Sequence, residues 1–322
     1  MTRVLVTRKL TPAVEARLRA TYDADLNTDD VPYSADALLS RAAETHALLP
    51  TVTDKLDAAL IKALPDSVRI ISSFGVGIDH IDLEAAAARS IAVTNTPDVL
   101  TDATAELALL LILAAARGAS AGERLVRAGN WTGWAPTAEL GLQVTGKKLG
   151  IYGMGRIGQR LAEMARGLSM EIHYHSRKPL DPTLARGATY HPTPDSLAEA
   201  VDILSVHCAS TPATRNSVNA DLIARMGTNA ILINTARGDI VDDDDLIRAL
   251  QTGRLAAAGL DVFRGEPALD PRYRSLENVF LLPHLGSATV ETRDAMGHRA
   301  IDNLDAFFAG ETPPDLVAAS TS

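Results

Sequence analysis

The stretch KKLGIYGMGRIG, residues 147–158, decides the predicted fold. An apolar strand runs into a G-x-G-x-x-G motif, and a helical pattern over residues 159–166 begins at once. In such a unit Gly153 permits a tight turn, Gly155 lets the backbone approach a pyrophosphate, and Gly158 lets the helix pack on the strand. The motif alone also occurs in ordinary turns. Strand, glycines and helix in this order predict a dinucleotide site at a helix N-terminus.

Length and composition are those of a globular protein. The chain has 322 residues, 46% of them hydrophobic and 22% charged, which predicts about two domains. Its net charge of -9 argues against a nucleic-acid partner, because binding phosphates along a strand requires a basic surface. An anionic substrate must therefore be bound by local positive charge.

Cysteine usage and hydropathy limit the class of protein further. The single Cys208 excludes an internal disulfide framework, and no His, Cys, Asp or Glu spacing predicts a metal site. The apolar run at residues 107–116 is far shorter than the roughly 20 residues that a bilayer span needs, and no signal peptide opens the chain. We therefore expect a cytoplasmic protein without a membrane or metal partner.

Short apolar strands alternate with helical patterns along the chain. This alternation predicts an α/β fold with doubly wound parallel sheets. One long helix is expected over residues 102–128, and a last helix over about residues 289–308. A glycine-rich loop, FGVGID at residues 74–79, follows a predicted strand, where its N–H groups either hold a carboxylate or only form a tight turn. The only two tryptophans lie in NWTGWAP, residues 130–136, and this loop fits a pocket wall, a subunit contact or a lid on the core equally well.

The residues after the second strand of the dinucleotide unit bear on cofactor choice. Proteins that prefer NAD usually carry an acid about 20 residues after the glycines, where it accepts hydrogen bonds from the ribose. Here Ser176, Arg177 and Lys178 stand instead. A hydroxyl and two cations pair well with a 2′-phosphate, so we predict a preference for NADP(H), with NAD(H) also usable.

Three chemically distinctive residues each follow a different predicted strand. They are Arg237, Glu266 and His284. Reduction of a 2-keto acid requires a cation for the carboxylate and the keto oxygen, which suits Arg237, and a proton donor that titrates near neutrality, which suits His284. Glu266, bonded to the other imidazole nitrogen, would favour the imidazolium and raise the pKa of His284. Each residue alone has an ordinary structural explanation, but their placement at strand ends beside a nucleotide motif favours catalysis.

The chain resembles the D-isomer-specific 2-hydroxyacid dehydrogenases, and among them the glyoxylate/hydroxypyruvate reductases. The shared motifs span most of the chain: the glycine fingerprint, FGVGIDHID at residues 74–82, NTARG at 234–238, GLDVF at 259–263, Glu266-Pro267, and PHLGSAT at 283–289. The resemblance implies a Rossmann-type nucleotide domain, residues 101–286, inserted in a flavodoxin-like substrate domain formed by residues 1–100 and 287–322. It also implies a homodimer.

The resemblance also assigns residues. Arg237, Glu266 and His284 match the catalytic residues of the family, and Asp261 matches a residue near the nicotinamide carboxamide. Expected cofactor contacts are Thr104, Gly153, Gly155, Arg156, Ile157, Gly158, Ser176, Arg177, Lys178, Thr211, Pro212, Thr235, Ala236, Asp261 and Gly286. Expected substrate contacts are Phe74, Val76, Gly77, Trp134, Arg237, His284 and Ser287, with the Val76 and Gly77 backbone holding the carboxylate.

The predicted activity is therefore NADPH-dependent reduction of glyoxylate and hydroxypyruvate. Formate oxidation is disfavoured because formate dehydrogenases pair their histidine with glutamine, whereas Glu266 stands here. Two alternatives stay open. One is another D-2-hydroxyacid dehydrogenase, of the broad 2-keto acid or short phosphoglycerate type, with NADH as a further candidate cofactor. The other is a dinucleotide-sensing binding protein on the same fold.

Overall fold

A computed structural model describes residues 1–317, so the last five residues of the third predicted domain segment lie outside it. The chain forms two compact units. One comprises Met1–Leu100 together with the chain from Ser287 onward, and the other comprises Thr101–Gly286. Each unit contains a parallel sheet.

The first unit has a five-stranded sheet within residues 1–100. Its strands are β1 (Arg3–Val6), β2 (Asp23–Asp25), β3 (Ala47–Leu49), β4 (Ile70–Ser72) and β5 (Ala92–Thr94). Its helices are α1 (Pro12–Thr21), α2 (Ala35–Arg41), α3 (Ala58–Ala63) and α4 (Leu83–Ala88), and α12 (Val290–Phe308) joins them from the end of the chain. The strand order β2-β1-β3-β4-β5, parallel throughout, is the flavodoxin-like order.

The second unit has a seven-stranded sheet within Thr101–Gly286. Its strands are β6 (Lys148–Tyr152), β7 (Glu171–His175), β8 (Thr189–Tyr190), β9 (Ile203–Val206), β10 (Ile231–Asn234), β11 (Ala257–Leu260) and β12 (Val279–Leu281). Its helices are α5 (Thr101–Ala116), α6 (Ala119–Arg127), α7 (Arg156–Arg166), α8 (Pro182–Ala185), α9 (Pro194–Ala200), α10 (Ala220–Arg225) and α11 (Asp243–Gln251). The order β12-β11-β10-β9-β6-β7-β8, again parallel, is the Rossmann order extended by one strand. The predicted fold class is confirmed.

The second sheet is buried on both faces, which explains its nearly continuous apolar strands. Successive side chains point to opposite faces of a strand. Ile203 and Ile233 accordingly belong to one apolar cluster, and Leu204 and Leu232 to the other. The strand ends, and the loops that follow them, are therefore set by a rigid sheet.

The prediction of a single helix over residues 102–128 is wrong. The segment forms α5 and α6, which meet at a bend of 69°. Gly118 lies between them with φ 58°, a left-handed conformation that glycine adopts at low cost. The carbonyl of Ala116 accepts a hydrogen bond of 2.7 Å from the Leu142 N–H, so the returning chain helps to end α5. Among the described residues no single helix is long and apolar enough to span a membrane, and only this bent pair, taken together, meets that length and composition.

Candidate active site

Three neighbouring strands of the second sheet end beside one another. Arg237 follows β10, Glu266 follows β11 and His284 follows β12, and these strands are adjacent in the order β12-β11-β10. Because the strands are parallel, their carboxyl ends share one edge of the sheet. The structure thus brings the three side-chain positions to the edge where the sequence predicts them.

His284 and Glu266 are directly bonded. The imidazole Nδ1 lies 2.7 Å from Glu266 Oε2, while Glu266 Oε1 accepts a 2.7 Å hydrogen bond from the Phe263 N–H. Both side chains are about one-third exposed, at 35% and 33%. No residue in the described part of the chain hydrogen-bonds His284 Nε2. The carboxylate therefore occupies one ring nitrogen and leaves the other for a reaction partner.

The charge state of Glu266 results from opposing effects. Burial raises the pKa of the carboxyl, but the hydrogen bonds from His284 and Phe263 and the positive charges of His284 and Arg237 outweigh it. The pKa of Glu266 therefore lies below its ordinary value, and the group is an anion at neutral pH. Its charge is available to stabilise a protonated imidazole.

The backbone at His284 is held in an uncommon conformation by Asp261. His284 has φ 57°, in the left-handed region that non-glycine residues rarely adopt. Its N–H donates to the Asp261 carbonyl at 2.9 Å, and the next two N–H groups, of Leu285 and Gly286, donate to the Asp261 carboxylate at 2.6 and 2.9 Å. Such strain persists only where neighbouring contacts over-determine it, and here these three bonds do so.

Asp261 is itself unusual, because its side chain is 1% exposed. Burial raises the pKa of this carboxyl to about 6, although the Leu285 and Gly286 N–H groups and the charge of His284 oppose the shift. Both oxygens already accept backbone hydrogen bonds. Its expected place near the nicotinamide carboxamide stays a prediction.

Asn234 fixes the turn that carries Arg237. This buried side chain accepts a hydrogen bond from the Ala236 N–H at 3.0 Å and donates one to the Arg237 carbonyl at 2.8 Å. The guanidinium of Arg237 donates to the Ala236 carbonyl at 2.8 Å. Asn234 belongs to the motif NTARG, but spacing alone gives no indication that its side chain folds over the turn.

The glycine loop fits a dinucleotide. Gly153 has φ 107°, and a Cβ there would lie 2.4 Å from the Cys208 backbone nitrogen, so only glycine allows β6 and β9 to end so close together. Gly158 is buried, and a Cβ on it would lie 2.6 Å from the Gly153 carbonyl. Gly155 is the N-cap of α7, and no atom lies within 4 Å of the position its Cβ would take. Arg156 and Ile157 are the first two residues of α7, and N–H groups in the first turn of a helix commonly donate to anions.

The other predicted cofactor residues lie on the same unit. Thr104 and Asp261 both lie within 3.5 Å of the Cβ position of Gly286, so these three residues meet. Thr235 Oγ1 lies 3.3 Å from Nδ1 of the partly buried His207, and burial lowers the pKa of His207 to about 4. The remaining residues lie in the turns that follow β9 and β10: Thr211, Pro212 and Ala236.

The basic segment directly follows β7. Arg177 and Lys178 are exposed, and no carboxylate in the described chain pairs with either one. The hydroxyl of Ser176 donates to the Lys178 carbonyl at 2.7 Å, which folds the segment into a tight turn. Two cations without acidic partners are therefore available to an anion at the end of this strand.

The substrate residues predicted on the first unit lie in the loop after β4 and at the start of its C-terminal segment. Phe74 is buried, and no described residue accepts a hydrogen bond from the N–H of Val76 or Gly77. Asn95 holds this loop by donating to the Val76 carbonyl at 2.8 Å. Ser287 precedes the cap of α12, and its carbonyl accepts a hydrogen bond of 3.0 Å from the Thr289 N–H. Free N–H groups in a fixed loop are what a carboxylate site requires.

Comparisons with known proteins agree with this geometry. The family model described as "D-isomer specific 2-hydroxyacid dehydrogenase, NAD binding domain" matches residues 109–286. The chain is 44% identical to the glyoxylate reductase of Aeropyrum pernix, over 98% of this chain and 95% of that protein. It is 42% identical to the glycerate dehydrogenase of Hyphomicrobium methylovorum, over 96% of each. The crystal structure of an NADPH-dependent glyoxylate/hydroxypyruvate reductase from Sinorhizobium meliloti, in complex with NADP and malonate, superposes with a TM-score of 0.88 at 38% identity, over 98% of this chain and 97% of that one.

Proposed function

The chain belongs to the D-isomer-specific 2-hydroxyacid dehydrogenase family, and we propose that within it the protein is an NADPH-dependent reductase of small 2-keto acids, glyoxylate and hydroxypyruvate above all. Membership makes it an oxidoreductase with a nicotinamide dinucleotide cofactor. The observation that carries the finer proposal is the 2.7 Å contact between His284 Nδ1 and the ionised Glu266, at the sheet edge that also bears Arg237.

Each residue has a step in the proposed reduction. Arg237 pairs with the substrate carboxylate and polarises the keto oxygen, because its planar fork carries a permanent charge. His284 donates the proton on Nε2 to that oxygen as negative charge develops on it, and Glu266 stabilises the imidazolium before the transfer. When bound, the reduced nicotinamide supplies the hydride. The keto acid gains one hydride and one proton and leaves as a 2-hydroxy acid, and His284 regains its proton from solvent.

The cofactor preference follows from the segment after β7. A 2′-phosphate adds a doubly charged group that Arg177 and Lys178 can pair with, and the Ser176 hydroxyl can donate to it by giving up its bond to the Lys178 carbonyl. The segment contains no Asp or Glu of the kind that usually accepts a hydrogen bond from the ribose 2′-hydroxyl of NAD. NADPH is therefore the proposed reductant, and the Sinorhizobium relative is described as NADPH-dependent.

A second copy of the chain is the proposed partner. Helix α6 has no buried residue, and the segment after it exposes Trp131, Trp134 and Leu140 at 58%, 82% and 76%. Apolar side chains exposed together in this way are typical of an interface. We propose that α6 and the segment after it pack on a second nucleotide domain, where Trp134 forms part of the wall of a substrate pocket. Light scattering should give twice the mass of the chain, and a monomer at micromolar concentration would exclude the arrangement.

The activity is tested by following NADPH and NADH oxidation with glyoxylate, hydroxypyruvate and pyruvate. The proposal predicts fast NADPH-dependent turnover of glyoxylate or hydroxypyruvate. Faster turnover with NADH would support the assignment as a reductase and refute the assignment of NADPH as its cofactor. Turnover of none of these acids with either cofactor would refute the substrate assignment.

A further inference from the structure

Arg293 is a half-buried cation that lacks an acidic partner. It lies near the start of α12, four residues after the N-cap Thr289. Burial holds the pKa of its guanidinium below the ordinary value, and no carboxylate among residues 1–317 opposes that effect. Arg299 on the same helix differs, because it pairs with the Asp315 carboxylate at 2.6 and 2.9 Å.

The position of Arg293 is unfavourable for a cation on two grounds. The first turns of a helix carry partial positive charge, which repels a guanidinium. Partial burial removes water from the charge, and no carboxylate in the described chain replaces that water. An anion bound beside this side chain would supply the counter-charge that the described residues do not.

The surroundings of Arg293 indicate where that anion binds. Its Cζ lies 5.9 Å from the centroid of the Phe74 ring, within the range of a cation–π contact. Phe74 begins the loop in which the Val76 and Gly77 N–H groups have no acceptor among the described residues. One charge and two N–H donors of the first unit thus lie around one short loop.

We propose that Arg293 is a positioning residue for the substrate carboxylate, holding Phe74 and adding positive charge to the loop at residues 74–77. The inference rests on the proposed function, since the anion is the 2-keto acid. Arg293 orients no reacting atom. It sets the affinity for the acid and not the rate of the chemical step.

The test compares Arg293→Met with the wild type in NADPH-dependent reduction of glyoxylate. Loss of one partly screened charge should raise KM for glyoxylate about tenfold, while kcat falls less than about threefold and KM for NADPH is unchanged. The midpoint of thermal unfolding should stay the same or rise, because a poorly satisfied cation has been removed. Arg293→Lys should recover part of the affinity, since it keeps the charge but not the planar stack. Phe74→Leu should also raise KM, and the double variant should be less than additive.

Arg299→Met is the matched control. It leaves the buried Asp315 carboxylate without its cationic partner, so it should lower the unfolding midpoint and leave KM for glyoxylate unchanged. An unchanged KM in Arg293→Met would overturn the inference. So would a pattern in which stability, kcat and both KM values all worsen, because that pattern indicates a structural residue.

A binding measurement separates this inference from the proposed function. Oxalate, an unreactive two-carbon acid, should raise the unfolding midpoint of the wild type in the presence of NADP+ and should do so much less for Arg293→Met. If the wild type reduces no keto acid, the proposed function fails. The oxalate comparison then tests the anion-binding role of Arg293 by itself. Loss of the oxalate effect in Arg293→Met supports the anion role, and equal stabilisation of both proteins overturns it.

Discussion

Glu266→Gln removes the negative charge beside His284 and keeps the shape of the side chain. In the wild type one carboxylate oxygen accepts from His284 Nδ1 and the other from the Phe263 N–H, both at 2.7 Å. An amide has only one acceptor oxygen, so one of these two contacts must be lost or its donor and acceptor reversed.

The magnitude follows from those two bonds. A hydrogen bond to a charged group contributes about 1.5–3 kcal/mol. The proton transfer needs the imidazolium. If this free energy is lost from that step, kcat/KM for reduction should fall about 10- to 100-fold. The loss should be larger at about pH 8 than at about pH 6, because protons from solvent are scarcer there and the missing carboxylate matters more.

The assay is the pH profile of kcat/KM for glyoxylate with NADPH, measured beside NADPH binding by fluorescence. Glu277→Gln is the matched control. Glu277 is an exposed glutamate between β11 and β12, and this variant should behave as the wild type. A Glu266→Gln profile within about twofold of the wild type at every pH would refute the role given to the carboxylate.

Two further predictions concern the cofactor segment and the buried acid. Arg177→Ala should raise KM for NADPH about tenfold through loss of a charge-assisted contact, with KM for NADH unchanged, and an unaltered ratio of the two would mean that the 2′-phosphate binds elsewhere. The folded-state pKa of Asp261, at about 6, lies above its unfolded value, so its contribution to stability is fully present below about pH 4 and is lost as pH rises toward 6. Lowering the pH from about 7 to about 5 should therefore stabilise the wild type relative to Asp261→Asn by about 1 kcal/mol, measured by urea unfolding, and a difference independent of pH would contradict the assigned burial.

The sequence was sufficient for the fold and for the sheet edge that carries the candidate site. Alternating strands and helices, with glycines at residues 153–158, correctly predicted parallel doubly wound sheets. The residues Arg237, Glu266 and His284 follow neighbouring strands as expected, because parallel strands bring their ends together irrespective of the loops between them.

Other features depend on tertiary contacts that periodicity does not encode. The break between α5 and α6 had a visible signal in Gly118, but an isolated glycine is tolerated within helices, and the Leu142 contact that helps end α5 comes from a distant segment. The same holds for Asp261, whose two carboxylate bonds to the loop after His284 cannot be read from spacing. Nothing in the sequence distinguishes Arg293 from other helix cations, because its burial and the Phe74 ring 5.9 Å away depend on tertiary packing.

The most direct test of the account is His284→Ala, with kcat for glyoxylate reduction and the dissociation constant for NADPH measured on the same preparation. Because His284 lies outside the glycine loop and donates the proton in the proposed reaction, kcat should fall by about 10²- to 10⁴-fold while NADPH binding stays within about twofold. A kcat close to that of the wild type, or an equal loss of turnover and NADPH binding, would contradict the assignment of His284 as the proton donor.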